Sequence, residues 1–427
     1  MSHGLDLSVI IPAFQEGQSL STLLPELQQV LAGLGITYEL LIVSQDRDAQ
    51  TTAAAERAGA RLIAPRTDGY GAALAAGWTV AGGDYILTMD ADVMEAPTFV
   101  RKLWELRQQA EITIASRYVP GGSARMPATR TRASRVLNAF FRRGLSVPIQ
   151  DLSSGFRLYH AATLRNAKFD ATGFDILQQV LVRAFAEGWK VQEVPFAYEP
   201  RPDGSSNRRG VGLAGSYLKT FWSLWKHRNS ILAADYDDRA HDSAIWLQRY
   251  WQRSRHKHVT DLIAGQGAVL DVGCGSSRII GALPKGSVAM DILRRKLRYA
   301  RKFGRPVVHA SGFQLPVRDE SFPCVLCSQV IEHVPKESPI LDELCRALAP
   351  GGRLVLGTPD YANWEWVWME KAYGLAAPGG YADEHIAHYT YAELMDIFTK
   401  RGFTFEEHRY IMRGELIMAF RKNKTAR

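Results

Sequence analysis

The chain has 427 residues, 46% of them hydrophobic and 22% charged, and a formal net charge of +8. That length exceeds what one core usually organises and the composition is ordinary, so two globular domains are expected and disordered or fibrous classes are excluded. The modest positive excess suits an anionic partner such as a phosphate-bearing substrate or a membrane surface; no nucleic-acid recognition motif accompanies it.

In chain order, Leu7 to Ile11, Tyr38 to Val43, Arg61 to Ala64 and Asp84 to Met89 read as strands. Between them Ser19 to Leu31, Thr51 to Ala58 and Gly71 to Val80 read as helices. Strands alternating with helices predict a parallel sheet covered on both faces. From about Lys226 the periodic core face is lost among turn-forming and charged residues, and a linker is expected at 229–243. A helix from Ala244 to Ile263 follows, then strands at Ala268 to Val272, Ser287 to Met290, Pro306 to His309, Cys324 to Ser328 and Arg353 to Gly357. Phe403 to Ile411 and Glu415 to Phe420, separated by Met-Arg-Gly, predict a closing antiparallel hairpin.

The start of the chain has no basic segment ahead of a long apolar core, so it reads as a strand and not as a signal peptide. No run of 18 to 20 apolar residues suits a bilayer span. Four cysteines are too few for a disulfide framework, and a reducing, cytoplasmic setting is expected, with peripheral attachment at the inner membrane face open. Cys324 and Cys327 spell CxxC, but residues three apart on a strand point to opposite faces, which favours packing over metal or redox chemistry.

Two groups of residues carry chemistry. Asp90 and Asp92 follow a strand, at the sheet edge where α/β folds bind ligands, and two carboxylates there can hold Mg2+ or Mn2+ against a diphosphate. Alone, Asp-x-Asp is more often a surface turn. Its neighbours are Ser8-Val-Ile-Ile-Pro-Ala-Phe-Gln-Glu16, Arg66-Thr-Asp-Gly-Tyr-Gly-Ala-Ala73, Ser116-Arg-Tyr118, Asp151-Leu-Ser-Ser-Gly-Phe-Arg-Leu-Tyr159 and Arg201-Pro-Asp-Gly-Ser-Ser-Asn207. The helical segment Tyr217 to Arg228 puts Phe221 and Trp225 on a face with Tyr217 and Leu218, suited either to a headgroup layer or to core packing.

The second group opens with Leu270-Asp-Val-Gly-Cys-Gly-Ser-Ser277. Its glycines allow a tight turn and close approach of a ligand, while Arg278 stands where a dinucleotide fingerprint wants a third glycine, which counts against NAD. Asp291 ends the next strand, where a carboxylate can accept from ribose hydroxyls. Leu315-Pro316, Gln329-Val-Ile-Glu-His-Val334 and Leu348-Ala-Pro-Gly-Gly-Arg-Leu354 follow.

In order and spacing, the first set resembles the family 2 glycosyltransferases of the dolichol-phosphate mannose synthase type, over residues 5–227. The second resembles the class I S-adenosylmethionine-dependent methyltransferases, over 244–421. The resemblances imply two doubly wound α/β domains: a GT-A-like nucleotide-sugar domain at 1–228 and, after the linker, a Rossmann-like methyltransferase domain at 244–427. They imply inverting transfer from a nucleoside diphosphate sugar to a lipid phosphate, and methylation of the product or a companion glycan or lipid with S-adenosylmethionine. An alternative keeps the methyltransferase and makes the first half a non-catalytic module that binds the acceptor.

Carried over by position, Pro12 and Glu16 match the donor-binding end of the first strand, with Gln15 where Asn is usual. Asp90 and Asp92 match the nucleotide and metal carboxylates. Arg117, Arg130 and Arg201 match basic positions expected to hold phosphate, and Asp151 is the candidate to orient or deprotonate the acceptor. Val43-Ser-Gln-Asp-Arg-Asp48 replaces the usual Val-Asp-Asp-Gly-Ser, so Asp46 or Asp48 is left to hold the base. Asn207 stands for a common Lys, with Arg208 and Arg209 as substitutes or as a solvated loop. In the second domain Asp271, Gly273, Gly275, Asp291 and Phe313 are the expected cofactor contacts, with Ser311 in place of an Asp that often caps the adenine. His333, His385 and His388 are candidate acceptor-side bases; for His333, capping or packing at a helix start is the plainer reading.

Overall fold

The computed structural model describes residues 4–45, 48–93, 96–165, 167–199, 213–231, 233–368, 370 and 385–424. Asp46, Arg201, Asn207, Arg208 and Arg209 lie outside the described residues. Two compact units emerge: 1–185 with 189–225, and 186–188 with 226–427. Among the described residues, no helix is long and apolar enough to cross a membrane.

The first unit is built from β1 (Leu7–Pro12), β2 (Tyr38–Val43), β3 (Arg61–Ile63), β4 (Tyr85–Thr88), β5 (Ile112–Ser116), β6 (Ser123–Ala124), β7 (Arg157–His160), β8 (Val191–Pro195) and β9 (Ala197–Tyr198). Its helices are α1 (Gly17–Ala32), α2 (Ala49–Arg57), α3 (Tyr70–Val80), α4 (Ala96–Glu105), α5 (Ala128–Gly144), α6 (Ile176–Ala186) and α7 (Leu213–Asn229). The main sheet has the order β3-β2-β1-β4-β7-β5-β8, and β6 pairs with β9 apart from it. Strand β1 shows why both faces are covered. Leu7, Val9 and Ile11 pack in one cluster with Leu20, Leu23 and Leu27 of α1. Ile10, between them, packs in the other with Leu74 of α3. One expectation is corrected: β7 runs antiparallel to both β4 and β5, so the sheet is mixed. Its sequence has no feature that distinguishes direction, and only the pairing partners decide it.

The second unit begins with α8 (Tyr236–His241) and α9 (Trp246–Ile263), followed by β10 (Val269–Val272), β11 (Val288–Asp291), β12 (Val307–His309), β13 (Phe322–Ser328), β14 (Leu348–Pro359), β15 (Phe403–Ile411) and β16 (Glu415–Lys422). The order is β12-β11-β10-β13-β14-β16-β15, with β16 antiparallel to β14 and β15. The expected hairpin closes through Met412, Arg413 and Gly414: Gly414 N donates to Ile411 O (3.0 Å) across Met412 and Arg413, both at positive φ (49° and 55°), and Glu415 then pairs back to Ile411. Cys324 and Cys327 go to clusters on opposite faces of β13. Both thiols are buried, which pushes Cys324 up to about 12 and Cys327 upward, so neither is a reactive pair member.

The segment expected as a linker is instead built into the second unit. Ala233, Ala234, Asp235, Tyr236, Asp238 and Ala240 are buried. Asp237 accepts from Ser276 N (3.0 Å) and Lys296 Nζ (2.7 Å), and Asp238 accepts from Arg278, Lys302 and Tyr299. These partners sit 39 to 64 positions away, which is why a charged stretch without periodicity hid a packed one. Arg228, fully buried, makes a fork to Asp235 (2.5 and 2.7 Å). Arg228→Leu leaves the Asp235 carboxylate buried without its cation. It is expected to cost the second unit about 3 kcal/mol or more, read as a lower urea midpoint at unchanged slope.

Candidate active sites

In each sheet the strand order reverses beside the first strand, between β1 and β4 and between β10 and β13. Crevices open at such points beyond the carboxyl ends of the strands. Pro12 ends β1, and Asp90 and Asp92 follow β4, so the sheet itself brings three expected donor-site residues to one crevice.

Tyr70 donates its hydroxyl to Asp90 Oδ1 (2.8 Å), and its ring stacks on Phe174 (4.5 Å between centroids). Gly155 makes room for this contact: a Cβ there would stand 2.4 Å from the Tyr70 hydroxyl and 3.2 Å from both Asp90 oxygens. Burial, with the Asp90 carboxylate close by, pushes the Glu16 carboxyl upward against a hydrogen bond from Ser19. Glu16 therefore faces Asp90, and an added divalent cation would relieve the like-charge contact between them. Hard carboxylates at a strand end fit Mg2+ or Mn2+, with a diphosphate completing the coordination. Gln15 sits at φ 55°, a left-handed conformation that Asn tolerates best, which accounts physically for the Asn usual there.

Asp90, Arg117, Arg130 and Tyr198 line one cavity with Ser153 and Gly155. Arg117 is locked by Asp151: Nε donates to Oδ2 and Nη2 to Oδ1, both at 2.7 Å, and its backbone N–H adds a third bond at 3.1 Å. Ser153 donates its N–H (3.2 Å) and hydroxyl (3.1 Å) to the same carboxylate. Asp151 is wholly buried, and although burial works the other way, the Arg117 guanidinium holds its carboxyl below the usual range. Of the two roles expected of Asp151, deprotonating the acceptor does not fit, since its oxygens already accept from Arg117 and Ser153, whereas orienting it through Arg117 does. It is a positioning residue. Asp48 caps α2, accepting from Thr51 N at 2.9 Å, so the carboxylate expected at the nucleotide base has a local structural job.

Helix α7 divides the face expected to be continuous. Phe221 and Leu224 are buried, with Phe221 against Phe140 of α5 at 4.4 Å, while Leu218 (52%), Trp222 (57%) and Trp225 (39%) are exposed. On α5 Val136 (69%) and Phe140 (44%) are exposed as well, on a stripe with Arg132 and Arg143. Sequence reasoning missed α5 as part of this surface, although its spacing of Arg132, Val136, Phe140 and Arg143 carried the signal.

In the second crevice Gly273 (φ 76°) and Gly275 (φ 57°) take left-handed conformations. A Cβ on Gly273 would strike Val330 at 2.2 Å, and one on Gly275 would approach Asp237 at 2.7 Å. Asp291 accepts from Gly275 N (2.8 Å) and Leu293 N (2.7 Å), which ties the loop to the β11 end. Phe313 (44%) and Ile292 (63%) expose apolar surface near this edge, and Ile292 was not foreseen. The loop geometry fits a nucleoside cofactor such as S-adenosylmethionine. Arg278, in the third-glycine position, reaches Asp238 and Asp242 instead of a ligand.

Asp271, in β10 just before the glycine loop, is buried. Burial first, then the neighbouring Asp291 carboxylate, pushes its carboxyl up to about 7. The folded state thus holds this proton more tightly than the unfolded chain does. The stability it contributes is complete below the unfolded carboxylate range and is lost as pH rises through about 7. The thermal midpoint of the ligand-free second unit is expected to fall between about pH 5 and 8, with Asp271→Asn flattening part of that fall in scanning calorimetry.

On the far side of the crevice, Glu332 and His333 form the turn after β13, and the Glu332 carbonyl accepts from Ile386 N (2.8 Å) and Ala387 N (3.0 Å). That pair of bonds brings His385 to His333, 5.0 Å between ring centroids. His388 stacks on Tyr361 (4.0 Å).

Residues 8–166 match glycosyl transferase family 2, and residues 270–356 match a methyltransferase domain. A dolichol-phosphate mannosyltransferase of Pyrococcus furiosus is 30% identical over 238 residues, 53% of this chain and 66% of its own length, so just under two thirds of that relative is spanned. An undecaprenyl-phosphate mannosyltransferase of Micrococcus luteus is 30% identical over 230 residues, 50% of this chain and 93% of its own. Among solved structures, glucosyl-3-phosphoglycerate synthase of Mycobacterium tuberculosis, bound to Mn2+ and uridine diphosphate, overlays with a TM-score of 0.42 and 20% identity over 52% of this chain and 80% of that one. The chain belongs to glycosyl transferase family 2 through its N-terminal half, and it carries a methyltransferase domain in its C-terminal region.

Proposed function

We propose that the first unit transfers a sugar from a nucleoside diphosphate sugar to a polyprenyl phosphate, with inversion at the anomeric carbon, and that the second methylates the product or a companion glycan or lipid. The observation that carries the first half is the single cavity lined by Asp90, Arg117 and Arg130 beside the β1/β4 crevice. It pairs a carboxylate suited to a metal-bound diphosphate with two guanidiniums suited to an acceptor phosphate.

Asp90 and Asp92 would hold Mg2+ or Mn2+, which when bound neutralises the departing diphosphate. Pro12 and Glu16 border the donor, and Tyr70 fixes the Asp90 carboxylate. Arg117, held by Asp151, orients the acceptor phosphate, with Arg130 and, by resemblance, Arg201 as further phosphate contacts. A phosphate oxygen is already anionic, so its attack on the anomeric carbon needs no base; the glycosidic C–O bond breaks and its electron pair leaves with the nucleoside diphosphate. This is why a saturated Asp151 is compatible with catalysis. In the second unit Gly273, Gly275, Asp291 and Phe313 would cradle S-adenosylmethionine, which supplies an electrophilic methyl group, with His333 and His388 toward the acceptor.

The exposed stripe of Leu218, Trp222, Trp225, Val136 and Phe140, flanked by Arg132, Arg143 and Lys219, supports docking of the first unit on an anionic bilayer, where a polyprenyl phosphate resides. In a vesicle-flotation assay with anionic phospholipid, the double variant Trp222→Ser, Trp225→Ser is expected to lose most binding, while water-soluble nucleotide still binds; unchanged flotation removes the membrane role.

Sugar transfer is tested by incubating the chain with labelled nucleotide sugars, Mn2+ and polyprenyl phosphate. Asp92→Asn is expected to lower transfer by about 100-fold or more and to abolish metal-dependent nucleotide binding in calorimetry. Nucleotide binding without any transfer across a panel of sugars would favour the acceptor-presenting module instead.

A further inference from the structure

Glu332, His333 and His385 place one ligand atom each within 4.8 Å of one another. The set joins two segments that the Ile386 and Ala387 amides clamp to the Glu332 carbonyl. Glu332 is completely buried; the neutral Thr358 hydroxyl lies beside its carboxylate, and among the described residues no cation pairs with it and no hydrogen bond of regular geometry reaches its oxygens. A buried acidic side chain in that condition is costly unless a cation or a proton answers it.

His385 carries an independent sign. Its Nδ1 lies 2.5 Å from Glu370 Oε1 and 2.8 Å from the Tyr361 hydroxyl, which donates to the same carboxylate oxygen at 2.9 Å. With Nδ1–H donated to a carboxylate, the lone pair is left on Nε2. Metal-bound histidines are oriented in this way. We propose that Glu332, His333 and His385 form a divalent transition-metal site in the methyltransferase unit, with Glu370 and Tyr361 fixing the His385 tautomer. Two imidazoles and one carboxylate favour Zn2+, Co2+ or Mn2+ over Ca2+ or Mg2+ and leave coordination positions open. Donors about 2.1 Å from an ion stand roughly 3.0–3.4 Å apart, so binding draws the two imidazoles inward from their present spacing.

The open positions suit a hydroxyl of the methyl acceptor. Coordination lowers the hydroxyl pKa and releases its proton to solvent. The resulting oxygen attacks the sulfonium methyl carbon, and the C–S bond breaks with its electron pair passing to sulfur. This consequence rests on the methyl-transfer reading; the metal site itself does not.

The test is titration of the metal-free full-length chain with Co2+, followed by visible absorption and calorimetry, in an Asp92→Asn background that silences the carboxylate pair of the first unit. About one equivalent of cobalt is expected to bind. Glu332→Gln and His385→Gln should each weaken it by 100-fold or more, and Glu370→Gln by about 10-fold. S-adenosylhomocysteine binding, measured on every variant, reports that the unit remains folded. Cobalt that fails to bind, or binds equally well in Glu332→Gln and His385→Gln, overturns the site. Cobalt bound in a chain that never binds S-adenosylhomocysteine overturns the methyl-transfer reading while leaving the site standing. Should Glu332→Gln lose both ligands, His385→Gln decides.

Discussion

Both candidate sites exist because the strand order of each mixed sheet reverses beside its first strand. The chain leaving β1 runs toward β2, whereas the chain leaving β4 runs the other way, and the loops part above the strand ends. The same happens between β10 and β13. Strands buried on both faces cannot shift register without moving apolar side chains off their partners, so the residues at these strand ends are held as firmly as the core. Pro12, Asp90, Gly273 and Asp291 owe their positions to that constraint.

Around the first crevice the charges are arranged in series. Asp151 is buried and spends its oxygens on Arg117 and Ser153, and Arg117 in turn lines the cavity that Asp90 borders. A guanidinium held by two parallel hydrogen bonds loses little further freedom when it meets a phosphate, which is the physical advantage of such a support. The second crevice relies more on backbone. Its glycine loop is tied to Asp291 from one side and to Asp237 of α8 from the other, and Lys296 and Arg278 brace α8.

The two halves also differ in how they treat buried acids. In the first, Asp151 has a cation at contact distance and stays ionised. In the second, among the described residues Asp271 and Glu332 have no cation at contact distance: Asp271 is pushed up to about 7 and Glu332 to about 8, mainly by burial. Asp271 has the Asp291 carboxylate for a neighbour. Glu332 stands beside two imidazoles, an arrangement with chemical content of its own.

What the sequence by itself determined was local and periodic. Apolar alternation located most strands, the Met-Arg-Gly turn located the hairpin, and the spacing of Asp90, Asp92, Gly273, Gly275 and Asp291 marked the strand ends where the candidate sites lie. Tertiary structure decided whatever depends on partners distant in the chain. The direction of β7, the burial of the presumed linker through Arg278, Lys296 and Lys302, and the commitment of Asp151 to Arg117 were not legible. The same holds for the meeting of Glu332 with His385. A side chain's type and neighbours in sequence report what it can do; only the fold supplies the charge or hydrogen bond that determines what it does.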